Sequence, residues 1–435
     1  MKPSSVDAMS ARRLGLAWPL DRERIEAARM GALRKTVAHA RQKSSWYRER
    51  LAGLDPDSLR SSADLARLPF LSNTDLAAHG QQLLCVSQCE VARIITLQTS
   101  GSTGTPKRLH FTREDLDSTV DFFQHGMFSL VSSEDRVLAL LPFSLPDSTG
   151  DLLIRALARG GVECAGVWPP TDFEALAARI RDENFTSIVG LPQHLLALAY
   201  VLPHGLVRTM LLCSDYAPQS LRTRIEEVCG CETFLHYGTT ETGLAGGVEC
   251  KAHGGCHMRE SDLLIEIVDL RTGDVVPEGE VGEVVVTTLN RQAMPLLRYR
   301  TGDLASLETS PCLCGGVTAR LCDIRGRRRA CQLAGGFSVA SQDLDDVLFG
   351  LDGLLDYRAS LTRSAGRDAI SVEFLARPGH ERLEREIHRA LNSVPALHMA
   401  IQSHSFETGP AQAVEFFSPS HTLKRTILDK RGSCS

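Results

Sequence analysis

The residues best equipped for chemistry run from Thr96 to Lys107: Thr96-Leu97-Gln98-Thr99-Ser100-Gly101-Ser102-Thr103-Gly104-Thr105-Pro106-Lys107. Glycine lets a backbone turn tightly and bring its N–H groups against an anion. The hydroxyls of Thr99, Ser100, Ser102 and Thr103 add neutral donors, and Lys107 adds a point charge suited to phosphate. Residues 91–97 before the loop and 109–111 after it are apolar enough to read as strands. A strand, loop, strand order differs from the Walker loop, where Gly-Lys-Ser/Thr opens a helix. The plain alternative is an ordinary Ser/Gly turn.

Three further groups stand out. His236-Tyr237-Gly238-Thr239-Thr240-Glu241-Thr242-Gly243 puts an aromatic beside glycine, which can lie flat on a purine, and a hydroxyl beside a carboxylate, which offers hard oxygen ligands to Mg2+. Pro295-Leu296-Leu297-Arg298-Tyr299-Arg300-Thr301-Gly302-Asp303 ends in a carboxylate able to accept two neighbouring hydroxyls. Arg298 and Arg300 are suited equally to pairing within the fold and to substrate contact. Cys250 with His253, and Cys312 with Cys314, form two compact chelating pairs of the kind a four-coordinate zinc takes. Cys256 or His257 is close enough to replace His253. Reduced buried thiols are the alternative, and a metal held by four protein groups would be structural.

These groups need a scaffold. Residues 1–20 read as loosely ordered, and 21–53 as helical, with Ile25, Met30, Leu33, Val37 and Ala40 near a 3.6 period. From Val137 onward short apolar runs alternate with helical stretches: strands over 137–141, 162–167, 187–190 and 209–213, helices over 152–159, 173–181, 195–202 and 219–228. That alternation implies a parallel α/β sheet, with ligands beyond the strands' carboxyl ends. Phe143, Pro192, Ser214 and Asp215 fall there. Residues 262–290 read as β-rich, with Glu283 structural, and 330–435 as a small α+β region.

The chain has 435 residues, 43% hydrophobic and 23% charged, with a net charge of −5. This is globular composition, without the basic runs that mark a nucleic-acid partner. No apolar run is long enough to span a membrane, and no secretory signal is expected. Thirteen cysteines, an odd number, suit reduced thiols in the cytoplasm better than a disulfide framework.

Taken together, the three nucleotide-type strings resemble the adenylate-forming (acyl-CoA synthetase, AMP-binding) superfamily. The Arg-rich helix, Ser45-Trp46-Tyr47-Arg48 and Asp64-Leu65-Ala66-Arg67-Leu68-Pro69-Phe70-Leu71 resemble the N-terminal segment of its phenylacetate–CoA ligase branch. The resemblance implies an α/β fold: a large N-terminal domain over 1–326 with parallel and mixed sheets, a β-rich subdomain at about 248–322, and a small mobile α+β lid over 327–435. It implies ATP phosphates in the loop of Thr99, Ser100, Gly101, Ser102, Thr103, Gly104 and Lys107. It assigns Tyr237 to adenine within the segment His236, Gly238 and Thr239, Thr240 to the α-phosphate, Glu241 to magnesium, Asp303 to ribose and Arg327 to the nucleotide. Lys424 matches the lid lysine that reaches the carboxylate and α-phosphate, although no glycine precedes it and the register is open by one. Arg329 stands where a hinge Asp is usual. Cys/His pairs like those here also occur in that branch.

The implied reaction activates a small carboxylic acid with ATP and Mg2+ through an acyl-adenylate and passes it to coenzyme A, with structural Zn2+ beside it. A carrier-protein thiol is the other acceptor, and a degenerate nucleotide-binding regulatory protein is the reading from another class. Phe143, Pro192 and Tyr237 would shape a pocket for a flat aromatic acid. Asp147 either binds a polar or cationic group or is a solvated loop residue. A homodimer is left open.

Overall fold

A computed structural model describes residues 4–97, 106–327, 330–364, 366–380, 382–417 and 425–431, without the side chain of Arg327. The expected contacts Thr99, Ser100, Gly101, Ser102, Thr103, Gly104 and Lys424 lie outside the described residues, as does Arg329. The fold is mixed α/β, with a large mixed sheet and a separate four-stranded one. The chain divides into two compact units: Met1–Pro169 with Ser187–Val189 and Phe234–Ile324, and Pro170–Thr186 with Gly190–Thr233 and Arg325–Ser435.

In the first unit, Arg93–Leu97 and Lys107–Phe111 form the antiparallel pair expected on either side of the loop, with Leu97 opposite Lys107. The helix Arg113–Met127 follows at once. Thr112 Oγ1 accepts from the Asp115 N–H, and the Asp115 carboxylate accepts from the Thr112 N–H, which satisfies two of the orphan donors at a helix start. The same carboxylate accepts from the N–H groups of Gln292 and Ala293, so the cap also anchors a distant loop.

Arg136–Ala139 pairs in parallel with both Glu163–Gly166 and Ser187–Gly190, as the alternating pattern requires. Phe143 lies against Gly166, the last residue of the strand Glu163–Gly166. A Cβ on Gly166 would sit 2.7 Å from the Phe143 ring, so the aromatic rests where only glycine leaves room. The β-rich part runs antiparallel from Leu263–Val268 through Gly282–Thr288 to Tyr299–Glu308. Its apolar face is a cluster that includes Met258, Ile265, Ile267, Val284, Val286 and Leu321.

In the second unit, Leu354–Ser364 and Arg367–Ala376 form a long antiparallel pair, flanked in parallel by Ile427–Asp429 and Phe406–Ala413. The helices Glu384–Ser393 and Pro395–Gln402 precede the last of these.

The N-terminal residues differ from the loose order expected of them. Ser5–Leu14 is a helix capped by Ser4. Its anchor is Asp7, fully buried, which accepts from the N–H groups of Val317 and Thr318 and from the Thr318 hydroxyl. Beside it, buried Glu260 receives the guanidiniums of Arg22 and Arg29 and the Ala319 N–H. These charges hold the carboxyl of Glu260 below its usual range although burial pushes it up. Glu260→Ala leaves two arginines facing a hole, and should cost about 3–5 kcal/mol in urea denaturation. A loss under about 1 kcal/mol, the scale of an exposed pair, would show that the cluster holds nothing.

Candidate functional site

Lys107 begins the second strand of the hairpin, and only 4% of it is exposed. Its ammonium donates to Glu241 Oε1, to Asn73 Oδ1 at 2.7 Å and to the Tyr299 hydroxyl at 3.4 Å. The Tyr299 hydroxyl oxygen lies 2.7 Å from Asn73 Oδ1 and 2.8 Å from Glu241 Oε1, and its one proton is donated to one of the two. Glu241 is 2% exposed. Three motifs far apart in sequence thus meet in one buried polar cage. Asn73 opens the helix Asn73–His79, whose start is fixed by the reciprocal Ser72–Asp75 cap. Tyr299 begins the strand Tyr299–Glu308.

A hard divalent ion takes oxygen ligands. The Lys107 ammonium sits among three oxygens, of Asn73, Glu241 and Tyr299, so a cation already occupies an all-oxygen environment here. These oxygens are of the kind magnesium takes, and here the lysine ammonium holds them. Four residues along the strand from Tyr299, Asp303 Oδ2 accepts from the Tyr237 hydroxyl at 3.0 Å. The expected ring and ribose residues are therefore hydrogen-bonded partners, and both are buried. His236 precedes Tyr237, and burial beside Arg259 holds its imidazole down to about 4, so it is neutral at neutral pH. Gly238, Thr239 and Thr240 continue into a turn in which Thr239 and Thr242 exchange hydrogen bonds.

Arg298 and Arg300 pair within the fold. Arg298 makes a two-pronged bond to buried Glu266, and Arg300 binds Glu283. Asp147 is not a solvated loop residue: it is buried between Arg113 and Arg155, which hold its carboxyl below the usual range against the upward push of burial.

The other expected residues belong to the second unit. Pro192 is the first residue of the helix Pro192–Ala199. Ser214, just past the strand Thr209–Leu212, has φ 71°, a left-handed backbone that non-glycine residues rarely adopt. Asp215 accepts from the backbone N–H of Arg425 at 3.0 Å. The Arg425 guanidinium is buried against Asp345, Gln193 Oε1 and the Tyr216 carbonyl, with the Phe349 ring 4.7 Å from its centre. Burial pushes Asp345 up to about 6 even beside this cation. Arg327 ends the strand Arg320–Arg327.

The cysteine pairs also converge, with one change of partner. The ligand atoms of Cys250, His257, Cys312 and Cys314 all lie within 4.8 Å of one another. His253 is outside this group: its ring packs on Phe234 at 5.1 Å and its Nδ1 lies 3.4 Å from Glu249. The fourth member is thus His257, because the strand Cys256–Met258 turns it toward the thiols. Its tautomer follows from its neighbours. Thr318 donates its one hydroxyl proton to Asp7 at 2.8 Å, so it accepts from His257 Nδ1 at 3.0 Å. That leaves Nε2 with a free lone pair 3.4 Å from Cys314 Sγ. Cys250 and Cys312 sulfurs are 3.7 Å apart, close to the spacing of two thiolates on one tetrahedral zinc. The residues fit zinc, and the contact to Nδ1 is the outer support that metal-bound histidines use.

Known proteins resemble this chain along most of its length. The family model for AMP-binding enzymes matches residues 62–291, just over half of the chain. A phenylacetate-coenzyme A ligase of Thermus thermophilus is 29% identical over 402 residues, covering 87% of this chain and 88% of the relative. One from Escherichia coli is 27% identical over 370 residues, with 81% and 82% covered. Among solved structures, a 2-hydroxyisobutyryl-CoA ligase in the postadenylation state aligns with TM-score 0.77 at 20% identity, over 96% of this chain and 94% of that one. Among the described residues no helix is long and apolar enough to cross a membrane.

Removing the Tyr299 hydroxyl tests the cage without changing its shape. Tyr299→Phe should lower stability in urea by about 1.5–3 kcal/mol, the range for a hydrogen bond to a charged group. An unchanged midpoint would mean that Lys107 and Asn73 satisfy Glu241 without it.

Proposed function

This chain belongs to the AMP-binding enzyme family, and from that premise we propose that it is an AMP-forming acid–thiol ligase that makes an acyl-adenylate and then a coenzyme A thioester. The observation that carries the reading is that three separate motifs meet through hydrogen bonds, Lys107 with Glu241 and Tyr299, and Tyr237 with Asp303. Phenylacetate-coenzyme A ligases as relatives over most of the chain support it.

In this reading the acid's carboxylate attacks the α-phosphate of ATP, giving acyl-adenylate and pyrophosphate. The coenzyme A thiol then displaces AMP. Little covalent chemistry is asked of the protein, which positions charge instead. Tyr237 offers its ring to adenine and Asp303 its carboxylate to ribose. Lys107 lends its charge to the phosphates, with Thr99–Gly104 as their cradle. Thr240 meets the α-phosphate. Magnesium, held by Glu241, would neutralise charge on the phosphates. Lys424, Ser214, Asp215 and Arg327 are proposed on their motif positions alone. A lid over 327–435 would exchange these contacts between the two half-reactions. Phe143 and Tyr237 are proposed to face a small aromatic acid, and Pro192 is proposed on its motif position alone.

The direct test is ATP–pyrophosphate exchange over a panel of aromatic and aliphatic acids, with and without coenzyme A. Exchange confined to one acid class, with AMP and thioester formed when coenzyme A is added, is expected. Glu241→Gln should cut that exchange by about 100-fold or more. ATP binding with no exchange for any acid would favour a degenerate nucleotide-binding protein. Exchange without consumption of coenzyme A would point to a carrier-protein thiol.

We also propose a structural zinc held by Cys250, His257, Cys312 and Cys314. Elemental analysis of purified protein should find about one zinc per chain, as a four-ligand site takes one ion. Cys312→Ser or His257→Ala should lose it, while His253→Ala should keep it. Loss on His253→Ala would return that histidine to the ligand set.

A further inference from the structure

The segment Thr239–Gly243 carries Thr240 and Glu241, and its backbone is held from behind. Three successive carbonyls each accept a side-chain donor from a different part of the chain. Arg291 Nη1 donates to the Glu241 carbonyl at 2.7 Å, Arg259 Nη2 to that of Thr242 at 2.6 Å, and Thr119 Oγ1 to that of Gly243 at 2.7 Å. Thr119 also faces the Asp115 carbonyl at 3.4 Å, but its single proton belongs to the shorter contact.

This arrangement is costly. Arg259 and Arg291 are both buried, and a Cβ on Gly243 would lie 2.8 Å from the Nη2 of each. Gly243 has φ 80°, so glycine alone suits both the backbone and the two guanidiniums. Nε and Nη1 of Arg259 are buried without a hydrogen-bond partner among the described residues. A neutral amide could cap a carbonyl without burying a cation and two idle donors. A loop that needed only to be folded would not require this.

We propose that Arg259, Arg291 and Thr119 are positioning residues that fix the Thr240–Glu241 backbone for metal–nucleotide binding. The proposal rests on the reading of Glu241 as the magnesium ligand. The clamp acts on carbonyls, so it leaves the Glu241 carboxylate and the Thr240 hydroxyl on a backbone that cannot twist. Groups that orient a metal ligand are worth about 10–100-fold in metal affinity or activity.

Two readouts test it on the full-length protein. One is the Mn2+ affinity of the protein with ATP present, from water-proton relaxation, which needs no turnover. The other is the Mg2+ concentration that half-saturates ATP–pyrophosphate exchange. Arg291→Met and Thr119→Val should weaken Mn2+ binding and raise the half-saturating Mg2+ by about 10–100-fold. Arg291→Lys and Thr119→Ser, which keep a donor, should stay within about threefold of the parent, well inside that range. Thr119→Val keeps the side chain's shape, so it decides the matter if Arg291→Met fails to fold. Folded donor-less variants with unchanged metal dependence would overturn the clamp alone. A parent protein that exchanges no pyrophosphate with any acid would overturn the functional reading, and the clamp with it.

Discussion

The buried ion pair of Lys107 and Glu241 is the constraint on which the site depends. Two charges taken out of water gain from each other only if their remaining hydrogen-bonding capacity is met. Here Asn73 and Tyr299 meet it, and so the pair dictates the placement of two further elements. The hairpin must bring Lys107 to the start of its second strand, the helix Asn73–His79 must start where its first side chain reaches inward, and the strand Tyr299–Glu308 must begin at the phenol. One partner missing would leave a bare carboxylate in a dry interior. The fold and the chemistry therefore have the same weak point, and the group most costly to bury is the one a cation is asked to approach.

The second ordered centre follows the same logic. His257 is aimed by Thr318, which is aimed by Asp7, and Asp7 is what holds the N-terminal helix. The helix Ser5–Leu14 is thus connected to the cysteine cluster by two hydrogen bonds in series. A fixed tautomer at His257 presents a lone pair to three sulfurs without any rearrangement. Nearby Glu260 ties Arg22 and Arg29 to the same stretch through the Ala319 N–H. The first thirty residues are held by these buried charges as well as by an apolar cluster of Ala11, Leu20 and Ile25.

These two kinds of anchor explain what the sequence disclosed. Strands and helices with clear periods were legible: Ser187–Gly190 is a strand as expected, and 209–213 and 219–228 match Thr209–Leu212 and Gln219–Cys229 closely. The AMP-binding family and the α/β class were legible because motif letters name chemical groups. Ser5–Leu14 was not, since its anchor is a buried Asp bonded to residues some three hundred positions away. His257 could be weighed against His253 but not chosen, because the choice lies in which way a strand turns. Asp147 was left open between a ligand contact and a solvated loop residue, because the arginines that bury it, Arg113 and Arg155, form no local pattern with it. Asn73 and Tyr299 were each within strings already quoted or adjoining them, yet nothing in the letters says which hydroxyl or amide faces a lysine.

Backbone carbonyls are the least legible of all, and this bears on how such a site is built. A motif such as Tyr237-Gly238-Thr239-Thr240-Glu241 records the side chains that face a ligand. The donors that hold its carbonyls, Arg291, Arg259 and Thr119, come from three other places and form no pattern with it. Each also has an ordinary reading, as a surface arginine or a helix threonine. Only the glycine carries a trace of them: at φ 80°, with two guanidiniums against its Cα, Gly243 must stay bare for the arginines to close in. The glycine that ends the motif is therefore as much a statement about what lies behind the loop as about the turn it makes.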